Sequence, residues 1–337
     1  MEQSILELHP LLVAVFAITV VIMLLLDLGI FNKKSHIVTS KEATIWSVVW
    51  ISLSMVFSGV VYYVFNQDAG GHDLAIEKFT QFQTAYWIEK ALSVDNLFVF
   101  ILVFSFFKVP RELHHKVLFW GIIGALVMRA IFIFAGVGLI SVTYLPEFSL
   151  FGKVVSINVV LTLFGLFLVY AGIKSWGGGD DDDEQDFSKS AGAKLIRKLY
   201  KVSDNFDGDK FFTIQNGIKM ATPLLTVIAV IEFTDLLFAV DSIPAIFAVS
   251  KDPFILYTSN IFAILGLRSL YFLLSNFIHM FSKLPYGLSI ILSFIGVKMI
   301  ISPWFHISSP ISLGIVGGVL VLSVIISIMF PEKSTEE

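Results

Sequence analysis

Residues 232–247 read EFTDLLFAVDSIPAIF, and they place three carboxylates inside a long apolar run. The run starts near Ala221, so it is long enough for the roughly 20 residues that a helix needs to cross a bilayer. An ionised group near the bilayer centre costs about 2.5–3.5 kcal/mol. The stretch therefore predicts a membrane helix in which Glu232, Asp235 and Asp241 are paired, protonated, hydrated or bound to a cation.

The rest of the chain is as apolar as this stretch. Its 337 residues are 56% hydrophobic and 15% charged, whereas a soluble domain is roughly 25% charged. Apolar runs of membrane-spanning length recur along the sequence. They predict an all-α polytopic membrane protein with about nine transmembrane helices, at 10–31, 43–65, 81–106, 117–143, 150–175, 221–247, 256–280, 286–302 and 308–330.

Several classes of function are disfavoured by what the sequence lacks. There is no cysteine, which excludes disulfides and thiolate metal ligands. A net charge of −4 without a basic patch argues against a nucleic-acid partner. The sequence contains no G-x-x-x-x-G-K-[ST] motif and no pair of haem-ligating histidines within the runs. We therefore expect neither an enzyme nor a bound organic cofactor.

Lysine and arginine are distributed unevenly between the two alternate sets of loops. One set carries only Lys78, Lys153 and Lys251. The other set and the C-terminal tail carry many more: Lys33, Lys34, Lys41, Lys108, Arg111, Lys116, Lys283, Lys333 and the seven bases from Lys189 to Lys219. Because cytoplasmic loops are enriched in these residues, the sequence predicts an N-terminus outside and a C-terminus in the cytosol.

One loop, from Trp176 to about Met220, is long and charged. It opens with GGGDDDDEQD and then turns basic, a composition typical of a flexible cytosolic connector. A metal-capturing strip is the alternative for its acidic part. The predicted units are two N-terminal helices, a three-helix unit, the connector, a second three-helix unit and a last helix with a tail, at 1–80, 81–175, 176–220, 221–302 and 303–337.

The first three-helix unit repeats the acids of the opening stretch. Its first span contains YWIEKALSVDNLFVF, in which Glu89, Asp95 and Asn96 interrupt the apolar run. Aligning VDN on VDS places Glu89 on Asp235 and Asp95 on Asp241. Both units therefore carry an acid, five other residues and a second acid.

The likeness continues through the next two spans of each unit. ALVMRAIF, with Arg129, parallels ILGLRSLYF, with Arg268, and VYAGIKSW, with Lys174, parallels SFIGVKMI, with Lys298. Three helices is an odd number, so the second unit must enter the membrane from the opposite side. Such inverted repeats are common in secondary transporters, whose sites lie at the repeat interface near the midplane.

Structural pairing and a cation pathway both remain open for the membrane acids. Lys90, Arg129 and Arg268 are the predicted supporting charge pairs, and each arginine could hold a carboxylate or helix-end carbonyls. Three deep bases cannot neutralise five acids, so at least two acids remain for a cation. Carboxylate, amide, hydroxyl and carbonyl oxygens without a thiolate suit Mg²⁺, Ca²⁺ or Mn²⁺.

Pro244 predicts a break near the end of the opening stretch, because proline cannot donate a hydrogen bond to the carbonyl of Val240. In a straight helix Asp241 would point about 240° round the axis from Asp235, at 3.6 residues per turn. A break would turn Asp241 and free carbonyls beside it. Unwound backbone at this depth is tolerated only in a cavity or inside protein.

These blocks resemble the signature blocks of the TerC family, and within it the Alx-type bacterial inner-membrane proteins. The likeness covers nearly the whole chain and is strongest in EKALSVDNLFVF, ATPLLTVIAVIEFTDLLFAVDSIPAIF and GVKMII. It implies a LysE-related transporter of the bacterial inner membrane, associated with tellurium resistance by name and with manganese export by function. It also implies an ion site at Glu89, Asp95, Asn96, Glu232, Asp235 and Asp241.

The residues and the resemblance together lead us to expect a secondary transporter that exports Mn²⁺. Proton return through the same carboxylates is a hypothesis for its coupling. The expected partners are the divalent cation and the lipid bilayer, and the oligomeric state stays open. The alternative is a non-transporting membrane scaffold or chaperone for metal loading or stress response, in which the acids are structural pairs.

Overall fold

The computed structural model describes residues 9–31, 39–68, 70–146, 148–150, 153–176, 186–215, 217–277, 284–305 and 307–330. The acidic run at 180–184 lies outside the described residues. The backbones of Asp27, Asp95 and Asp241 lie in helices, but their side chains are outside the description. The predicted roles of Asp95 and Asp241 therefore remain predictions.

The described chain is built almost entirely from helices, which confirms the predicted all-α class. Two antiparallel hairpins join some of them: β1 (Phe148–Leu150) with β2 (Lys153–Val155), and β3 (Phe212–Gln215) with β4 (Ile218–Ala221). The helices are α1 (Pro10–Phe31), α2 (Ser40–Phe65), α3 (Gly71–Phe106), α4 (Arg111–Val142), α5 (Val159–Trp176), α6 (Ala191–Leu199), α7 (Pro223–Phe247), α8 (Pro253–Leu265), α9 (Leu267–Phe277), α10 (Leu284–Ile301) and α11 (Ser309–Met329).

Six of the described helices are long and apolar enough to cross a membrane: α2, α4, α5, α7, α10 and α11. The pair α8 and α9, bent by 40° at Gly266, raises this number to seven if it crosses as one span. The chain is therefore a multi-pass integral membrane protein. The remaining predicted spans fall on α1, whose described apolar part is Pro10–Leu26, and on the polar-rich α3, so the number nine stays a prediction.

The fifth predicted span starts later than its apolar run. Residues 148–150 and 153–155 form the first hairpin, and α5 begins only at Val159. Asn158 explains this start, because its Oδ1 accepts the Leu161 N–H at 3.0 Å and its Nδ2 donates to the Ile140 carbonyl at 2.7 Å. The side chain thus caps α5 and ties it to the end of α4.

The prediction of a flexible connector is wrong for its second half. Residues 186–215 and 217–221, here called the connector unit, contain α6 and the hairpin β3–β4. Ser190 caps α6 by accepting the Ala193 N–H at 3.3 Å. Gly192, Ala193 and Ile196 form its buried face. This spacing of three and four residues is the amphipathic pattern that the basic composition obscured.

The predicted break at Pro244 is absent. Helix α7 continues through Pro244 and ends at Phe247. The proline removes only the hydrogen bond to the Val240 carbonyl, and the helix continues for about one more turn. The interruption lies instead at Gly266, between α8 and α9, directly before Arg268.

The third helices of the two predicted repeats, α5 and α10, form the most extensive helix pair in the described chain. A Cβ on Gly296 would lie 2.6 Å from the Gly165 carbonyl oxygen, and one on Gly172 would lie 2.7 Å from that of Ser289. The helices therefore run antiparallel with touching backbones. The sequence alignment equates Gly172 with Gly296 and Gly165 with Ser289. The contact of Gly296 with Gly165 is therefore the counterpart, under the predicted two-fold relation, of the contact of Gly172 with Ser289.

Candidate functional site

Four helices bring buried polar side chains together in the centre of the described bundle. Glu89 comes from α3, Arg129 from α4, Asp235 from α7 and Asn260 from α8. All four side chains are buried, and the Arg129 guanidinium is fully buried. Arg129 is thus surrounded by groups from both predicted repeats.

Arg129 binds a carboxylate from each predicted repeat. Its Nη1 donates to Glu89 Oε1 and, at 3.2 Å, to Asn260 Oδ1. Its Nη2 donates to Asp235 Oδ1 at 3.3 Å. The planar guanidinium can make such divergent contacts because its donors point in fixed directions. One positive charge therefore lies between two negative ones.

Glu89 has the more complete set of partners. Besides Arg129, it accepts from Asn260 Nδ2 at 2.9 Å and from Ser93 Oγ at 3.3 Å. A buried carboxylate with this many donors is held in one position. Asp235 is less enclosed, since 9% of its side chain is exposed and it lines a gap of about 20 Å³ that also contacts Arg268. Asp235 is therefore the more accessible acid of this pair.

Glu232 lies three residues before Asp235 on the same face of α7. Its carboxylate packs on the backbone of α4 at Gly124, where an added Cβ would lie 2.0 Å from Oε1. Within the described residues, no ion pair or hydrogen bond to the Glu232 side chain is found. The site thus contains one half-buried acid that Arg129 does not neutralise.

Lys90 contacts a helix end instead of an acid. Its Nζ donates to the Ala263 carbonyl at 3.2 Å, and a Cβ on Gly266 would lie 2.8 Å from it. Ala263 belongs to the last turn of α8, whose carbonyls lack regular helical partners. A buried ammonium there also interacts favourably with the negative end of the helix dipole. Lys90 therefore stabilises the bend between α8 and α9.

Two buried polar atoms stand beside the acids whose side chains are undescribed. Asn96 follows Asp95, Ser242 follows Asp241, and the alignment makes Asn96 and Ser242 equivalent. Asn96 Nδ2 and Ser242 Oγ are buried and have no hydrogen-bond partner among the described residues. Buried polar atoms are normally satisfied by protein, water or an ion. The two predicted repeats thus place a polar group without a described partner at matching positions.

An open cavity with a volume of about 1510 Å³ leads toward this region from the predicted outer loops. Its mouth includes the Lys78–Asp252 ion pair, with Nζ and Oδ2 2.7 Å apart. Its apolar wall reaches Phe247 at the end of α7. Phe247 is six residues after Asp241, or about 9 Å along a helix. The cavity, here called the vestibule, therefore lies beyond the acids at the end of α7 that is predicted to face outward.

Sequence reasoning found the charged members of this network but missed Asn260. The signal was present, because Asn260 interrupts the apolar run PFILYTSNIFAIL. In the part of the chain that the structure describes, no group of three or more His, Asp or Glu side chains could hold a metal ion. The described acids are spread around Arg129 instead, and the proximity of Asp95 and Asp241 stays a prediction.

The fold and the buried charges define a polytopic helical membrane protein with an ion-paired network between two repeat-like units. The profile described as "Integral membrane protein TerC family" matches residues 74–335. The chain belongs to the TerC family.

Its relatives carry names that say little about a substrate. The chain is 43% identical over 320 residues to an uncharacterized membrane protein of Myxococcus xanthus, covering 95% of this chain and 92% of that protein. It is 42% identical to the "Putative membrane-bound redox modulator Alx" of Escherichia coli, with 94% of each chain covered. A membrane protein of Rickettsia bellii is 36% identical over 94% of this chain and 96% of its own length. No solved structure matches.

Proposed function

We propose that this protein is a secondary transporter that exports Mn²⁺ across the bacterial inner membrane. The charge balance of the central region supports a cation. Five acids, Glu89, Asp95, Glu232, Asp235 and Asp241, face three bases, Lys90, Arg129 and Arg268. With all of them ionised the excess is two negative charges. Such a deficit inside a membrane protein marks ion and proton pathways.

The observation that carries the proposal is the pair of unsatisfied polar groups at Asn96 and Ser242. Each is the immediate neighbour of a repeated acid, and each sits in the same position of its repeat. Amide and hydroxyl oxygens with carboxylates are ligands for hard divalent cations such as Mn²⁺. Asn96 would serve with its amide turned so that Oδ1 faces the ion.

Alternating access then follows from the inverted arrangement. The vestibule would give the ion an exit beyond Phe247, and a small gap beside Asp235 lies toward the opposite side. Arg129 holds Glu89 and Asp235 when the ion is absent. A proton and a cation would compete for the acids that Arg129 does not neutralise, so proton return is the natural coupling. No covalent chemistry is required.

The test is ⁵⁴Mn²⁺ uptake into inside-out membrane vesicles supplied with a proton gradient. We expect accumulation with the wild type and its loss in Asp95→Asn and Asp241→Asn, since each swap keeps the shape and removes a charge. Asp204→Asn, an exposed acid in the connector unit, is the matched control and should transport normally. Absence of uptake by the wild type would refute manganese export.

The same vesicles separate transport from the scaffold alternative. Replacing residues 180–186 with a neutral linker should spare an exporter and impair a scaffold that works through the connector. The relatives' name includes redox modulation, but this chain has no cysteine, so it carries no thiol couple of its own. Mn²⁺ uptake that is the same with and without the imposed pH gradient would refute proton coupling but not manganese export.

A further inference from the structure

The connector unit lies beside the membrane helices and not beyond their ends. A Cβ on Gly192 of α6 would lie 2.3 Å from the Ala229 carbonyl oxygen of α7, so the two backbones touch. Ala229 is six residues after Pro223, the first residue of α7. At 1.5 Å per residue this is about 9 Å along the helix axis. Helix α6 therefore lies at the depth where α7 enters the bilayer.

A second contact fixes the unit against the start of α4. Lys116 Nζ donates to Asp209 Oδ2 at 2.9 Å and lies 4.7 Å from the centre of the Phe211 ring. Trp120 packs edge-on against the same ring at 5.8 Å. The unit therefore bridges the predicted cytosolic ends of α4 and α7, one helix from each repeat.

The faces of α6 that remain uncovered are amphipathic. Leu195 and Leu199 are four residues apart, hence on one stripe, and they are 41% and 61% exposed. This stripe flanks the buried face of the helix. Lys194 and Lys198 form the next stripe round the axis and are also exposed. Two large apolar side chains thus point outward beside two lysines.

The unit is strongly basic at this surface. From Ser188 to Ser203 the sequence has no acid and five bases: Lys189, Lys194, Arg197, Lys198 and Lys201. Within the described chain the three bases of α6 itself form no ion pair. A helix with exposed leucines and basic side chains lies favourably at the boundary between headgroups and acyl chains. Anionic lipid supplies the complementary charge, at roughly 1 kcal/mol per Lys or Arg.

We propose that α6 is a membrane-surface helix that binds anionic lipid headgroups in the leaflet beside it. Leu195 and Leu199 enter the acyl boundary, while Lys194, Arg197 and Lys198 contact the phosphates. Because α6 is packed on α7, bound lipid stabilises the helix that carries Glu232 and Asp235. The proposal does not depend on which ion the protein transports.

The chain has no cysteine, so a thiol-reactive fluorophore attaches to Leu199→Cys alone. The full-length labelled protein is placed in nanodiscs of phosphatidylcholine, with or without phosphatidylglycerol, each containing lipid spin-labelled near the headgroup. We expect the label to be quenched, and at least twofold more strongly with phosphatidylglycerol. Lys194→Gln/Lys198→Gln should remove that lipid-dependent increase. The control Lys41→Gln/Arg111→Gln, which loses equal charge at other exposed cytosolic positions, should keep it.

A second readout does not need the fluorophore. Phosphatidylglycerol added to the detergent-solubilised protein should raise Tm in the wild type and in the control, and the increase should be lost in Lys194→Gln/Lys198→Gln. Quenching that is absent, or equal in both lipids, would overturn the proposal. So would a label already shielded in lipid-free detergent, since the acidic run at 180–184 would then cover the face.

Discussion

At the scale of single residues, Arg129 holds carboxylates from the two predicted repeats with one guanidinium. Burying this group is tolerable because Glu89, Asp235 and Asn260 accept hydrogen bonds from its Nη1 and Nη2, although Nε has no partner among the described residues. Removing it would leave the charges of Glu89 and Asp235 buried without this positive counter-charge. The network is therefore a place where a single substitution has a large effect.

Arg129→Gln should destabilise the protein by about 3–5 kcal/mol, the usual cost of breaking a buried ion pair from one side. Thermal unfolding of the detergent-solubilised protein measures this as a lower Tm. Arg111→Gln, at an exposed position of the same helix, should leave Tm nearly unchanged. Combining Arg129→Gln with Glu89→Gln should restore part of the loss. An unchanged Tm in the single variant would contradict the ion pair.

The position of the Glu232 carboxylate depends on Gly124, which has no side chain to occupy that space. In Gly124→Ala the new Cβ would meet the carboxylate of Glu232 at 2.0 Å, and the flexible end of that side chain would move away. We expect normal folding with transport reduced as far as in Glu232→Gln, and no further loss in the double variant. Gly138→Ala on the same helix meets nothing within 4 Å and should transport normally. If the transport losses of the two single variants add up in the double variant, Gly124 and Glu232 act independently and the prediction is wrong.

The sequence reveals which residues to test at this scale but not how they pair. Acids and arginines are conspicuous in an apolar run, so Glu89, Arg129 and Asp235 could be named. Arg129 bridges helices that are far apart in sequence, and no spacing rule gives that partner choice. Lys90 was predicted to support a charge pair, yet it contacts the Ala263 carbonyl. This contact depends on the bend at Gly266, which the sequence alone did not reveal.

At the scale of elements, α5 and α10 meet through glycines that no larger residue can replace. Gly296→Ala would force its Cβ to 2.6 Å from the Gly165 carbonyl oxygen, which is backbone and cannot move independently. We expect a clear fall in Tm. Gly317→Ala in α11 meets nothing within 4 Å and should raise stability by about 0.5–1 kcal/mol, because alanine restricts the unfolded chain. Equal behaviour of the two variants would argue against the tight crossing.

The predicted starts at 43 and 256 lie three residues inside α2 and α8, because the apolar pattern was used without the caps that precede it. Thr39 before α2 and Asp252 before α8 are N-caps that the structure uses. The start of α5 was misplaced because β-branched residues before Asn158 are as apolar as the helix that follows. Pro244 was expected to break α7, but the helix continues to Phe247. The proline removes only one hydrogen bond there.

At the scale of the whole molecule, the vestibule and the connector unit lie at opposite ends of α7. The loops around the vestibule include Lys78 and Lys251, from the set predicted to be outside. The connector unit carries seven bases, as the positive-inside rule requires of a cytosolic segment. If the protein exports its ion through the vestibule, the vestibule must face outward. The orientation of the molecule in the membrane therefore also tests the direction of transport.

The absence of cysteine lets single-cysteine variants answer that question. Ser302→Cys, in the vestibule wall, should react with a membrane-impermeant thiol reagent only in right-side-out vesicles. Asn205→Cys, exposed in the connector unit, should react only in inside-out vesicles. The unmodified chain is the control and should not react in either. Because the vestibule is the proposed exit, modification of Ser302→Cys should also slow Mn²⁺ release. The reverse labelling pattern would place the N-terminus in the cytosol and make the vestibule an entrance.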